Sequence, residues 1–320
     1  MFDIKPQTLQ YWYKNFLSNY FPDIESNKWQ HQKILTVNKK TAEEEEKPVY
    51  IFKPENLGSN MSIDDKAIGH EGFTILSNND LDKIALLIES TNAEEVESAM
   101  KLFDTQALSK IKTISMDMSP TYTLVANNLI PHAAQVIDKF HVMKYVYDAV
   151  SSVRNKIKKE IASSLTQGKK KTEADKEKLS KIELLLRVRH TITQSDDKWS
   201  EAMKKTVNQV FENHQELKIA YQISQNFKHW YDYKNSKKPI IEITKNLHLW
   251  YKQALQLSEF KSVVKMIRKH ENEIINFFKH GGVSNAKAER LNGKINRFVS
   301  NNYGIKNKDF ALYRIANYFS

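Results

Sequence analysis

The sequence predicts an α/β protein whose mixed five-stranded sheet, flanked by helices, is interrupted by a large all-helical insertion. Three observations predict it. Short β-type runs separated by turn residues are confined to residues 60–140. From His141 to about residue 280, apolar side chains recur only at helical spacing. After Gly281-Gly282 the helical pattern resumes in a run that carries one carboxylate among amides and cations.

The elements follow in order. Residues 1–35 read as helical and aromatic, with Trp12, Phe16, Tyr20 and Trp29. TAEEEEKP (41–48) reads as a charged linker, because Pro48 breaks a helix. SIDDKAI, GFTILSN and KIALLIES form three strands separated by GHE and NDLD turns, and connections this short make an antiparallel meander. NAEEVESAMKLFDTQALSKI (92–111) has helical periodicity, with Asn92 as N-cap and Glu94 and Glu95 in the first turn. TISMDMS (113–119) alternates Ile114, Met116 and Met118 against Ser115, Asp117 and Ser119, the pattern of a strand with one apolar face. SPTYTLVANNL is a short helix opened by Ser-Pro, and AAQVIDKF (133–140) is a fifth strand. Each of the last two strands follows a helix and joins the meander in parallel.

The insertion opens with one long helix, marked by Phe140, Met143, Tyr147, Val150, Val153, Ile157 and Ile161. A polar connection, TQGKKKTEADKEK (166–178), leads to further helical runs. The expected division is an N-terminal helical and linker segment (1–59), the first part of the sheet domain (60–140), the helical insertion (141–280), and C-terminal helices that complete the sheet domain (281–320).

Composition narrows the function. With no cysteine, disulfides and thiolate metal sites are excluded. No apolar run approaches the ~20 residues a bilayer-spanning helix needs, and the N-terminus lacks the order of a signal peptide. The net charge of +11 is unevenly placed. Residues 1–110 hold 12 Lys and Arg against 18 Asp and Glu, and residues 111–320 hold 37 against 20. That asymmetry points to a polyanionic partner for the second part, nucleic acid before an anionic membrane surface.

The acid-bearing run is SNAKAERLNGKIN (284–296). At helical spacing Asn285, Glu289, Asn292 and Asn296 share one sector, while Leu291, Ile295 and Phe298 fall on another side. In the predicted sheet the first strand, with Asp64 or Asp65, neighbours the first parallel strand, with Asp117 near its carboxyl end. A helix packed on the sheet would bring Glu289 over both. Three carboxylates that close repel unless a cation neutralises them. Hard oxygen donors suit Mg²⁺ or Mn²⁺, and a pair of such ions promotes phosphodiester chemistry.

The blocks SIDDKAIG, TISMDMSPTY, VIDKFHVMK and GGVSNAKAERLNGKIN, in that order, resemble the DDE transposases of bacterial insertion sequences, specifically the ISL-three group. The resemblance runs from about residue 60 to the C-terminus and implies a ribonuclease H-like catalytic fold with a helical insert before the third acid. It implies Asp64, Asp117 and Glu289 as catalytic acids and metal ligands, with Asp65 beside the first. Asp138 and His141 match a D-x-x-H signature of related groups; Asp138 is equally an N-cap of the long helix, with His141 at N3. The implied activity is strand cleavage at transposon ends, then attack of the freed 3′-hydroxyl on target DNA, in a homo-oligomer on paired ends, in the bacterial cytoplasm at the nucleoid. Two alternatives are a catalytically silent DNA-binding derivative and a nuclease that cuts without joining.

The chain departs from the family in one respect. Members begin with a cysteine zinc module and a helix-turn-helix region, whereas only about 60 residues precede the first acid block here. The expectation is a companion protein that carries end recognition. Asn285 and Asn292 are candidates to hold Glu289 or touch phosphate. Lys287, Arg290, Lys294 and Arg297 are candidate phosphate contacts, against the plainer reading of a solvated basic face. Lys228 and Trp230, within a run of aromatic and basic residues that includes Phe227, Tyr231 and Tyr233, are candidates to stack on unpaired bases, against the plainer reading of helix core.

Overall fold

The computed structural model describes residues 4–26, 28–29, 32–37, 43–166, 172–282, 286–301 and 307–320. The chain forms two compact units: residues 1–138 with 284–320, and residues 139–283.

The first unit is built on a seven-stranded mixed sheet ordered β1-β2-β5-β4-β3-β6-β7. Short helices α1 (Pro6–Trp12) and α2 (Tyr20–Glu25) precede β1 (Gln32–Val37) and β2 (Glu44–Phe52). The meander follows as β3 (Asn60–Ile68), β4 (Glu71–Asn78) and β5 (Lys83–Ile88). After α3 (Ala93–Met100) and α4 (Thr105–Ser109), β6 (Thr113–Met116) pairs parallel to β3. After α5 (Pro120–Leu129), β7 (Ala134–Ile137) pairs parallel to β6. The five strands β3 to β7 thus have the order and directions implied by the ribonuclease H-like resemblance.

Three expectations need correction. The sheet has seven strands, not five, because the N-terminal segment read as helix and linker supplies β1 and β2. The acidic run of the supposed linker lies in β2, where Glu46 meets Lys33 of β1 at 2.5 Å across an exposed ladder. Pro48 fits there because pairing of β2 with β5 begins only at Val49. The run 92–111 is two helices, since Asp104 ends the first stretch and accepts a hydrogen bond from the Ala107 N–H to cap the second. Asn92 caps the first, accepting from the Glu94 N–H at 2.9 Å. The strand at 113–116 is buried on both faces, Ser115 included, rather than apolar on one.

The second unit is all helical. It runs through α6 (Lys139–Ser163), α7 (Glu173–Arg187), α8 (Glu201–Asn213), α9 (Gln215–Trp230), α10 (Ile240–Ala254), α11 (Lys261–Lys269) and α12 (Glu271–Lys279). Its core is aromatic: Phe227 lies 4.5 Å from Trp250 and 5.2 Å from Trp230, ring centre to ring centre. Gly281 and Gly282 end it with φ of +67° and +84°. Residues 139–283 hold 29 Lys and Arg against 16 Asp and Glu, a net of +13, which leaves −2 for the sheet unit. Among the described residues no helix is long and apolar enough to cross a membrane.

The chain returns to the sheet as α13 (Ala286–Asn301) and α14 (Lys308–Phe319). Leu291 and Ile295 of α13 and Leu312, Ile315 and Phe319 of α14 pack against Ile68, Phe73, Ile75, Ile84 and Leu87 of the sheet. On the opposite face, Tyr122 of α5 reaches the Thr74 hydroxyl of β4 at 3.2 Å.

Candidate active site

Parallel pairing of β3 with β6 sets the acids. The register aligns Asn60 with Thr113 and Ser62 with Ser115. A polar ladder follows: Thr113 Oγ1 donates to Asn60 Oδ1 at 2.8 Å, and the Ser62 and Ser115 hydroxyls meet at 2.8 Å. Asn79 closes it, accepting from Ser62 Oγ at 2.6 Å. One step further along the same two strands come Asp64 and Asp117. Asp117 lies just past the end of β6, where its Oδ1 accepts the Ser119 N–H at 2.8 Å and shapes the turn into α5. The turn-capping reading of Asp117 is therefore present in the structure. Carboxyl ends of parallel strands are where α/β sheets place their chemistry.

The sheet separates Asp64 from Asp65. Asp64 pairs with Ile75 and shares the face covered by α13, whereas Asp65 pairs with Thr74 and takes the face covered by α5. Asn292 of α13 donates its Nδ2–H to Asp64 Oδ2 at 2.9 Å. Lys66, two residues along the same face and 9% exposed, donates to the Asn292 carbonyl at 3.2 Å and to Asn296 Oδ1 at 2.5 Å. Two strand residues advance ~6.8 Å and four helix residues ~6 Å, so Lys66 with Asn296 and Asp64 with Asn292 keep step. Glu289 stands exposed one turn before Asn292 in the same sector.

The acids share an electrostatic neighbourhood. Burial first, and then the charges of Asp65, Asp64 and Asp117, push the Tyr122 hydroxyl above its ordinary range. Burial pulls the Lys66 ammonium below its ordinary range, while Asp64 opposes that fall. Hard carboxylate donors without sulfur are the set that Mg²⁺ or Mn²⁺ prefers. Among the described residues, however, no three His, Asp or Glu side chains stand close enough together to hold an ion. The register of β3 with β6 brings Asp64 and Asp117 onto neighbouring strands, the second just past the end of β6.

The remaining candidates are spread wider. Asp138, buried, stands at the carboxyl end of β7, where its N–H donates to the Met116 carbonyl of β6 at 2.8 Å. It precedes the first residue of α6, so it occupies the N-cap position and His141, half-buried, the N3 position. Arg290 and Lys294 turn to Asp82 of the β4–β5 turn, Arg290 at 3.2 Å. Arg297 is exposed on α13. Asn285 and the side chain of Lys287 lie outside the described residues. In the helical unit, Lys228 bonds the Ser195 hydroxyl. Trp230 corrects the stacking expectation: it is 9% exposed, its indole N–H donates to the Ile243 carbonyl at 2.9 Å, and Phe227, Tyr231 and Phe278 surround its ring. Lys66 and Tyr122 were missed in the sequence. The signal for Lys66 was its strand spacing of two from Asp64.

These features define a class, an α/β protein with a ribonuclease H-like sheet that sets two aspartates along adjacent strands on the side of an acid-bearing helix. A transposase family model, that of the ISL-three group of DDE enzymes, matches residues 61–315. The chain belongs to that family, and DNA is the partner the membership implies. No curated protein and no solved structure matches the chain.

Proposed function

We propose that the chain is a DNA transposase that cuts one strand at each end of its element and joins the freed 3′-hydroxyl to target DNA. The observation that carries this reading is the hydrogen bond from Asn292 to Asp64, which joins the first and last family blocks across 228 positions of sequence. In each step an oxygen nucleophile, water or the 3′-hydroxyl, forms a bond to phosphorus, the opposite P–O bond breaks, and the nucleophile's proton passes to solvent. Asp64, Asp117 and Glu289 would hold two Mg²⁺ or Mn²⁺ ions, which when bound supply Lewis acidity to the entering and leaving oxygens. Asn292 orients Asp64, and Lys66 keeps α13 in register with β3. Homo-oligomeric action on paired ends, at the bacterial nucleoid, and a companion protein for end recognition complete the proposal.

Labelled element-end oligonucleotides with Mn²⁺ test it. Asp117→Asn should abolish cleavage and leave salt-sensitive DNA binding near the parent value. Parent-level cleavage by that variant would overturn the reading. Cleavage without joining by the parent would identify a nuclease, and binding with no cleavage a silent derivative.

A further inference from the structure

Arg154 of α6 is only 9% exposed, yet its guanidinium meets neutral groups alone among the described residues. Its Nη1 donates to the Leu185 carbonyl, in the last turn of α7, at 3.4 Å. Its Nη2 donates to the side-chain oxygen of its neighbour Asn155 at 2.7 Å. Its buried Nε has no hydrogen-bond partner among the described residues. A second guanidinium stands close: burial first, and then the charge of Arg189, pull Arg154 below its ordinary range. Arg189 is exposed just past the end of α7, and its Nε donates to His190 Nε2 at 2.9 Å. That bond leaves the imidazole its other nitrogen to donate with. Arg187, by contrast, is satisfied by Glu183 at 2.6 Å. The stretch QGKKK (167–171), which lies outside the described residues, contains no acid.

A buried guanidinium is ordinarily paired with an acid, because taking an unpaired charge out of water is costly. The carbonyl end of α7 compensates part of the charge, but a helix end amounts to about half a negative charge against two guanidiniums. The surplus is positive and presented by planar donor forks, which match the oxygens of a phosphate group two at a time. We infer that Arg154 and Arg189, with His190, bind a free phosphate-type oxyanion between α6 and the end of α7. A small ion reaches this place from the exposed side of Arg189. The backbone of a duplex cannot follow it to a guanidinium that is nine-tenths buried, so the site is separate from DNA contact. The inference goes beyond the transposase reading and needs neither metal nor cleavage.

The test follows tryptophan fluorescence of the full chain on heating, with EDTA present, in sodium phosphate against sodium chloride at equal ionic strength. Trp199 reports the neighbourhood, since its indole N–H donates to the Thr191 carbonyl at 3.0 Å, two residues past Arg189. Phosphate at ~20 times its dissociation constant should shift the unfolding equilibrium about 20-fold, a midpoint roughly 4–7 °C higher. Arg154→Met should abolish that shift, and without phosphate it should melt no earlier than the parent, because it removes an unpaired buried charge. Arg189→Gln, at an exposed position, should raise the phosphate concentration needed by ~5-fold or more. Arg187→Gln, its control, should keep the parent response. Equal melting of the parent in the two salts, an earlier melt of Arg154→Met without phosphate, a full response in Arg189→Gln, or an equal loss in Arg187→Gln would each overturn the inference. So would a phosphate response that saturating duplex DNA abolishes, which would give the guanidiniums to the DNA backbone.

Discussion

Lys66→Met removes a buried cation that ties α13 to the sheet. The ammonium donates to the Asn292 carbonyl at 3.2 Å and to Asn296 Oδ1 at 2.5 Å. Hydrogen bonds from a charged donor contribute ~1.5–3 kcal/mol each in favourable settings. Two effects reduce the loss. Asn296 is exposed, so water replaces its lost partner. The ammonium also gives up hydration on burial, which is why its pKa falls, and methionine avoids that cost. The net effect should be ~1–2 kcal/mol on docking of α13, or about 5- to 30-fold in its opening equilibrium. Native-state hydrogen exchange of the α13 amides reads this directly. Protection should fall by that factor in residues 286–301 while α14 and the helical unit keep theirs. Unchanged α13 protection would refute the anchoring role, and a uniform fall everywhere would show a global stability effect instead.

Three further outcomes follow from the packing. Burial alone would raise the Asp82 carboxyl, but hydrogen bonds from Lys294 and Arg290 outweigh it and hold the group below its ordinary range. A depressed folded value gives stability that is present above the unfolded carboxylate value and lost as pH falls through the folded one. Asp82→Asn, which tolerates the φ of +62° there, should flatten that acid slope and cost ~0.5–1 kcal/mol at neutral pH, since both cations are largely exposed; urea melts from pH 2 to 7 measure it. Phe227→Ala should destabilise the helical unit by ~3–5 kcal/mol through the cavity it leaves among Trp230, Tyr231 and Trp250, seen as an earlier unfolding midpoint in tryptophan fluorescence. Gly282→Ala should lower the melting temperature more than Gly281→Ala. Both have positive φ, but a Cβ at 282 would come within 2.9 Å of Tyr233 Cβ, while none at 281 meets anything within 4 Å.

The sheet centre was legible because alternation and turn residues mark β3 to β7 locally. β1 and β2 were not, because their exposed ladder is built from charges such as Glu46 and Lys33 that read as linker until the pairing partner is known. Asp64 and Asp117 could be placed near one another from strand order alone, and the family blocks added Glu289. The choice between Asp64 and Asp65 needed the faces of β3, which depend on what covers each one. The ion pairs of Arg290 and Lys294 could not be read in the sequence because nothing local reveals Asp82, which lies 212 positions from Lys294. Trp230 shows the opposite case: helical spacing favoured core, and its packing agrees.

The charge is split, −2 on the sheet unit and +13 on the helical unit, and in the proposed transposase that split would assign grip to the helices and chemistry to the sheet. Added salt should shorten how long a polynucleotide stays attached, yet hardly change turnover once the protein is saturated. Grafting a different helical body onto the same sheet would then redirect which nucleic acid is delivered while the reacting groups stay as they are.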